Sequence, residues 1–391
     1  MSISLRELVK DYGSFIAVRG LSLECPTGQM LGLLGPSGCG KSSTLKMIAG
    51  IEEVTAGEIW FGEREVSSLP PGARNIAMVF EDYALYAHLS VFENVAFPLR
   101  IQGLPKAEIN ERVGAILDLL RLEDLRNEKV RSLSGGAQQR VSIGRALVRK
   151  PEVILFDEPL SHLDADQKVQ LRSEIKRLQQ LQGLTSILVT HDQTEAIAMC
   201  DIIAVMNAGE LQQVARPQDL YDHPANTFVA QFIGEPPMNL LPARLERHGS
   251  EAVLLGDGWR LPVSEQQAFI RGLHARDLTL GLRPEALFLC DEDAAGGAVP
   301  EGAATVSGEI RFREHRGDTD VLLVALDATD RAAAEGPHIS AEVTGPSPLR
   351  EGDRITLGFT DAKINLFDKN TGRNLAHLAA EAAFSPQEDA A

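Results

Sequence analysis

Short apolar runs alternate with stretches of helical periodicity up to residue 235. Met30-Leu31-Gly32-Leu33-Leu34, Ile76-Ala77-Met78-Val79-Phe80, Val153-Ile154-Leu155-Phe156 and Ser186-Ile187-Leu188-Val189-Thr190 each read as a fully buried strand. Asp201 to Val205 adds another, and Gly209-Glu210-Leu211 begins a hairpin. Ser42 to Ala49 reads as a helix stopped by Gly50, and Ala165 to Gln182 as a second with Gly183 beyond it. From Val91 to Arg149, apolar residues recur at spacings of three and four, as at Ile116, Leu117, Leu119 and Leu120, which predicts a helical block. Ile3 to Leu23 reads as two strands around a turn at Asp11-Tyr12-Gly13, and Gly57 to Gly62 as one more. Strands alternating with helices in this order predict an α/β sheet domain.

The pattern changes at Glu235-Pro236-Pro237. Beyond it lysine almost disappears and short alternating strands replace helices, clearest at Thr279-Leu280-Gly281-Leu282, Val321-Leu322-Leu323-Val324 and Ile355-Thr356-Leu357-Gly358. Turns recur at Gly256-Asp257-Gly258, Arg316-Gly317-Asp318 and Arg350-Glu351-Gly352. This predicts small, closed or partly closed OB-like barrels. The resulting division is an α/β domain over 1–235, with a helical subdomain over about 88–150, an all-β domain over 236–376 and a mobile tail over 377–391 that is rich in Ala and carries Ser385-Pro386.

The formal net charge of −17 is spread along the 391 residues, which argues against a nucleic-acid surface. The β half is acidic and poor in aromatics, so it lacks the stacking and charge that single strands need; a ligand- or protein-binding regulatory module fits it better. The Met1 end is too polar for a signal peptide, and no apolar run approaches the eighteen or so residues that cross a bilayer. The expectation is a soluble chain whose work on a membrane requires other chains to span it. The four cysteines, Cys25, Cys39, Cys200 and Cys290, are scattered without a CxxC pair, which fits a reducing compartment and argues against a zinc site.

The candidate chemistry begins at Gly35-Pro36-Ser37-Gly38-Cys39-Gly40-Lys41-Ser42, which fits GxxxxGK[ST] between a strand and a helix. Glycines let backbone N–H groups turn toward phosphate oxygens, and the helix N-terminus adds partial positive charge. Lys41 is placed to reach the β- and γ-phosphates and Ser42 to ligand Mg²⁺, with Ser43 beside it. Cys39 reads as a small residue tolerated in the loop. Tyr12 lies upstream at a spacing that could bring its ring over the site to stack on adenine. Ser134 caps a helix whose glycines, Gly135 and Gly136, leave N–H groups open to an anion. Asp157 and Glu158 stand at the C-terminal end of a buried strand, where open α/β sheets bind ligands. Asp157 suits a Mg²⁺ shell, and Glu158 suits orienting or deprotonating an attacking water. His191 ends a neighbouring strand and could contact the γ-phosphate. The aromatic segment from Glu81 to Ser90 is too apolar for an idle surface and reads as a partner surface.

With these motifs in order, the chain resembles the ATP-binding-cassette ATPases of bacterial importers, the maltose and glycerol-3-phosphate type above all. The phosphate loop is Gly35 to Ser42, the signature Leu133-Ser134-Gly135-Gly136, the second acidic motif Leu155-Phe156-Asp157-Glu158, the D-loop Ser161 to Asp164 and the switch histidine His191. Weaker words point to carbohydrate importers: Tyr83-Ala84-Leu85-Tyr86, Pro236-Pro237-Met238-Asn239, Gly281-Leu282-Arg283-Pro284-Glu285 and Leu366-Phe367-Asp368. The resemblance implies two cassettes sandwiching two ATP molecules, each held by one P-loop and by Leu133, Ser134, Gly135, Gly136 and Gln138 of the other chain. Ser42, Glu81 and Asp157 would hold Mg²⁺, Tyr12 would stack on adenine, and Ser161 and Asp164 would serve as D-loop contacts. It implies two transmembrane permease subunits, a second ATPase subunit (identical or not), an extracytoplasmic solute-binding protein acting indirectly, and a place on the cytoplasmic face of the inner membrane. The imported solute would be a carbohydrate or polyol. The alternatives are a polyamine, iron or oxyanion importer, or a soluble cassette ATPase of DNA repair or translation. Four positions depart from the family pattern: Glu81 where Gln is usual, Ala137 where Gln is usual, His162 where Asn or a small residue is usual, and Ala87 where Pro is usual. Glu158 and His191 remain, so hydrolysis is expected to survive. A second, non-identical cassette could supply the usual residues.

Overall fold

The computed structural model describes residues 1–248, 251–263, 270, 273–290, 299–327, 337–345 and 348–384. The chain divides into two compact units, Met1–Gln218 and Asp219–Ala391.

The first unit carries two sheets. One is antiparallel: β1 (Ile3–Asp11), β2 (Ile16–Cys25), β4 (Ala56–Phe61) and β5 (Arg64–Glu65) in the order β2-β1-β4-β5. The other is six-stranded, from β3 (Met30–Leu34), β6 (Ile76–Val79), β7 (Val153–Asp157), β8 (Thr185–Thr190), β9 (Ile202–Asn207) and β10 (Glu210–Ala215), ordered β10-β9-β3-β8-β7-β6. Five of its strands are parallel, and β10 pairs antiparallel with β9 as the hairpin reading expects. Helix α1 (Lys41–Ala49) buries Leu45, Met47 and Ile48 in the core with Leu31, Leu33, Leu155 and Val189 of the parallel sheet and Leu8 and Phe61 of the antiparallel one. Its C-cap is Gly50 at φ 74°, a left-handed backbone that glycine adopts without strain.

The helical block contains α2 (Val91–Ile101), α3 (Lys106–Leu119) and α4 (Gly135–Leu147). Ser90 and Glu93 form a capping box at the start of α2, satisfying two otherwise orphaned N–H groups. Helix α5 (Ala165–Gln182) is capped by Asp164 and ended by Gly183 at φ 60°; α6 (Gln193–Met199) follows β8.

Register places the chemistry. Leu34 pairs with Thr190, Asp157 with Val189 and Val79 with Phe156. The segments that leave β3, β7, β8 and β6 therefore emerge side by side at one sheet edge. These are the phosphate loop, the Asp157-Glu158 pair, His191 and the stretch into Glu81, as expected for the carboxyl ends of parallel strands.

The second unit begins with the end of α7 (Pro217–Asp222), then α8 (Thr227–Phe232). Two five-stranded antiparallel sheets follow. The first orders β13 (Trp259–Val263), β12 (Glu251–Gly256), β11 (Asn239–His248), β14 (Arg276–Leu282) and β20 (Ile364–Asp368). The second orders β15 (Phe288–Leu289), β19 (Arg354–Phe359), β16 (Ala304–His315), β17 (Thr319–Leu326) and β18 (His338–Thr344). They share one core that includes Leu245, Leu280, Leu322, Leu357, Phe359 and Leu366.

The contact division falls before the change of composition at Pro236, and Arg283 is a physical reason. Its buried guanidinium donates to the carbonyls of Tyr221 (2.6 Å), Ala230 (3.2 Å) and Ile233 (2.5 Å) and lies 3.9 Å over the Tyr221 ring. Residues of cassette-like composition are thus tied to the β unit. At the other end, Leu375–Phe384 is helix α9, where the sequence reading starts a mobile tail at residue 377. Asn374 accepts the Ala376 N–H at 3.0 Å, and the Leu/Ala-rich segment has high helix propensity. Residues 385–391 lie outside the described residues.

Asp320 is a buried carboxylate of the β unit. Arg313 Nη2 lies 2.7 Å from its Oδ2, and His315 Nδ1 is 2.8 Å from its Oδ1 across the hairpin. Burial alone raises a carboxyl, but the His315 hydrogen bond and the Arg313 ion pair outweigh it and hold Asp320 below its ordinary value. A carboxyl depressed by folding stabilises fully above its unfolded value of about 3.9 and stops doing so as pH falls through the folded value. Asp320→Asn is therefore expected to lower stability by about 2 kcal/mol near neutral pH. That difference shrinks below about pH 4 in urea titrations run across pH. A pH-independent difference would contradict the assignment.

Candidate functional site

The phosphate loop turns between β3 and α1 on two glycines that tolerate no side chain. A Cβ on Gly35 would sit 2.3 Å from the Met206 carbonyl oxygen, and one on Gly40, at φ 103°, 2.4 Å from that of Ala17. Lys41 is buried, and its Nζ donates to the carbonyls of Gly35 (2.7 Å) and Pro36 (3.0 Å), which holds its charge within the loop. Cys39 is buried, its Sγ 3.8 Å from Lys41 Nζ, so it packs as a small loop residue. Tyr12 is 42% exposed, with its hydroxyl 3.2 Å from Ser43 Oγ and hydrogen-bonded to Glu52. Phe15, absent from the sequence-based site, stacks beside it at 5.2 Å and widens the aromatic surface.

The acidic pair follows β7. Burial raises the Asp157 carboxyl, and the charges of Glu158 and Glu81 push it further while Lys46 opposes them. Glu158 lies at φ 45°, a left-handed backbone that a non-glycine residue rarely adopts. Its N–H donates to the Val189 carbonyl (2.9 Å), and its own carbonyl accepts from Ser161 Oγ (3.1 Å). Oε2 of Glu158 lies 2.9 Å from Nδ1 of His191. Two residues far apart in sequence thus meet, and strained backbone held by its surroundings is typical of functional positions.

The D-loop meets both neighbouring motifs. His162 Nε2 is 3.6 Å from Glu81 Oε1, so two of the departures from the family pattern face each other within one chain. Asp164 caps α5 by accepting the Gln167 N–H at 2.9 Å. The signature stands at the start of α4. Ser134 Oγ accepts the Ala137 N–H at 3.4 Å, the Gly136 N–H goes to Gln167 Oε1 at 3.2 Å, and Gln138 Nε2 donates to the Leu133 carbonyl at 3.1 Å. A Cβ on Gly135 would meet Leu163 at 2.9 Å. The signature's neighbours in its own chain therefore include D-loop and α5 residues and the Tyr83 hydroxyl, and Gln167 goes unseen in the sequence because an isolated glutamine carries no motif.

The aromatic segment after Glu81 is pinned to its own domain. Asn94 brackets the backbone of Tyr86, and Ser142 Oγ and Arg145 donate to the Tyr83 and Ala84 carbonyls. Tyr86 keeps 37% exposure while packing on Phe97 at 4.5 Å.

The family described as ABC transporter matches residues 18–161, the MalK OB fold domain matches 234–287 and the TOBE domain matches 280–367. The sn-glycerol-3-phosphate import ATP-binding protein UgpC of Cereibacter sphaeroides is 44% identical over 373 residues, 95% of this chain and 99% of the relative. The chain belongs to the import ATP-binding proteins of the ABC transporter family. The trehalose/maltose import ATP-binding protein MalK of Thermococcus litoralis is 44% identical over 95% of this chain and 98% of its own. The xylose/arabinose import ATP-binding protein XacK of Haloferax volcanii is 44% identical over 95% and 94%. A solved structure of cbiO1 from Clostridium perfringens, part of the ABC transporter complex cbiONQ, superposes with a TM-score of 0.53. It is 28% identical and covers 56% of this chain and 89% of that one. The fold expected from the motifs, an α/β cassette followed by OB-like β structure, is the one found. As a family member this protein is an ATP-binding ATPase coupled to import, with membrane permease partners. Among the described residues no helix is long and apolar enough to cross a membrane.

Proposed function

We propose that the ATPase energises import of a carbohydrate or polyol: a sugar, glycerol or glycerol phosphate. The names of the relatives carry that class, since the cassette itself contacts no solute. It sits at the cytoplasmic face of the membrane on two permease subunits, supplied by an extracytoplasmic binding protein, and pairs with a second ATP-binding subunit. Each ATP lies between the phosphate loop of one subunit and the signature of the other. Lys41 and the loop N–H groups hold the β- and γ-phosphates, and the Tyr12–Phe15 surface takes the adenine by stacking.

The donor set of Ser42, Asp157 and Glu81 is all oxygen, which suits Mg²⁺. The carboxylate charges crowding Asp157 are the kind a divalent cation offsets. Bound Mg²⁺ supplies neutralisation of phosphate charge. Glu158 orients the attacking water and accepts its proton, and His191 holds the Glu158 carboxylate from the side of the γ-phosphate. The single observation that carries this assignment is the 2.9 Å contact between Glu158 and His191. It is tested by His191→Ala, which is expected to cut ATP turnover at least tenfold with little change in nucleotide affinity. Unchanged turnover would remove His191 from the site.

A further inference from the structure

Position 137, next to the two signature glycines, is alanine, and its side chain is buried and offers no polar group. The amide nearest those glycines comes from another helix. Gln167, on the first turn of α5, accepts the Gly136 N–H at 3.2 Å and donates from Nε2 to Asp164 Oδ2 at 2.5 Å. Asp164 is the D-loop residue that caps α5. One side chain therefore joins the N-terminus of the signature helix to the D-loop. The fit is close: a Cβ on Gly136 would approach Gln167 Oε1 to 3.3 Å.

The Gly136 N–H is also one of the few donors at this helix start that the helix's own N-cap does not take, since Ser134 accepts the Ala137 N–H instead. A phosphate oxygen arriving there must take the hydrogen bond that Gln167 holds. We propose that Gln167 is a positioning residue that competes in cis with the trans phosphate for the Gly136 N–H. Release of that bond frees the Gln167 amide and, through it, the Asp164 carboxylate, so nucleotide capture is felt at the D-loop. The inference rests on the reading that the signature contacts ATP held by the partner's phosphate loop.

Three forms of the full-length protein test it: wild type, Gln167→Leu, which fills the same space without an acceptor, and Gln167→Glu, which keeps an acceptor and adds a charge that repels phosphate. KM and kcat for ATP are measured on each. The ATP concentration for half-maximal dimerisation is measured by light scattering in a Glu158→Gln background. Removing one competing hydrogen bond is worth about a fivefold change. Gln167→Leu is expected to lower both the half-saturating ATP concentration and KM by about that factor with kcat within twofold, and Gln167→Glu to raise them. A merely structural role would move both variants in the same direction, or move kcat and thermal stability with KM fixed; either result overturns the proposal, as do two variants indistinguishable from wild type. If the Glu158→Gln protein with intact Gln167 fails to dimerise at saturating Mg-ATP, the trans reading itself fails and takes the proposal with it.

Discussion

Glu158→Gln is expected to lower ATP turnover by roughly 10²–10⁴-fold, or about 3–5 kcal/mol of barrier, while ATP binding persists. The amide keeps the shape of the carboxylate and its contact with His191 but can no longer accept a proton. The backbone at this position is left-handed and is held by the Val189 carbonyl and the Ser161 hydroxyl, so the substitution leaves the surrounding turn in place. Phosphate release gives the rate, and a fluorescent ATP analogue gives the affinity. A loss below tenfold would mean that another group takes the proton. A loss of both turnover and binding would mean that Glu158 acts in holding the nucleotide.

Arg74→Met is expected to cost the cassette roughly 3–5 kcal/mol, although Arg74 touches none of the site residues named above. The guanidinium is 1% exposed and donates to four carbonyls: Leu69 (2.7 Å), Met47 (2.7 Å), Ile48 (2.9 Å) and Ser67 (2.9 Å). Met47 and Ile48 close the last turn of α1, so a buried cation sits at the negative dipole end of the helix that begins at the phosphate loop, adding to the Gly50 N–H that Met47 already accepts at 3.1 Å. Methionine fills much of the space and takes the donor away from the Leu69, Ile48 and Ser67 carbonyls, while Met47 keeps the Gly50 N–H. Each such group costs about 1–3 kcal/mol, less where water can enter. Thermal unfolding should show the first transition lowered by roughly 10 °C. A shift of a degree or two would mean that water replaces the guanidinium at little cost.

Sequence pattern reached the elements whose signal is local. β3, β7 and β8 are apolar runs closed by turn chemistry, and α5 lies between Asp164 and Gly183 as its cap residues predict. The phosphate loop and acidic pair were legible because their chemistry is written in consecutive residues. What stayed hidden depends on contacts between distant residues. Nothing near Arg74 announces that it closes α1, and nothing near Arg283 announces that it draws residues 219–235 to the β unit. The facing of His162 and Glu81 is likewise tertiary. It brings together two departures that, read singly, suggested a second cassette supplying the usual residues. Leu375–Phe384, most of which the sequence assigns to a tail, is helical because Ala-rich composition resembles a loose end while favouring a helix once Asn374 caps it.

This ATPase is coupled to import, and so its complexes hold membrane proteins. The most direct test is recovery of the tagged protein, at native abundance, from detergent-solubilised membranes, with mass spectrometry of what accompanies it. Two permease proteins are expected in the complex, with ATP turnover lowered by roughly 10²–10⁴-fold when Glu158→Gln is the tagged form. Recovery without any membrane protein, in company with nucleic acid or a soluble assembly, would contradict it.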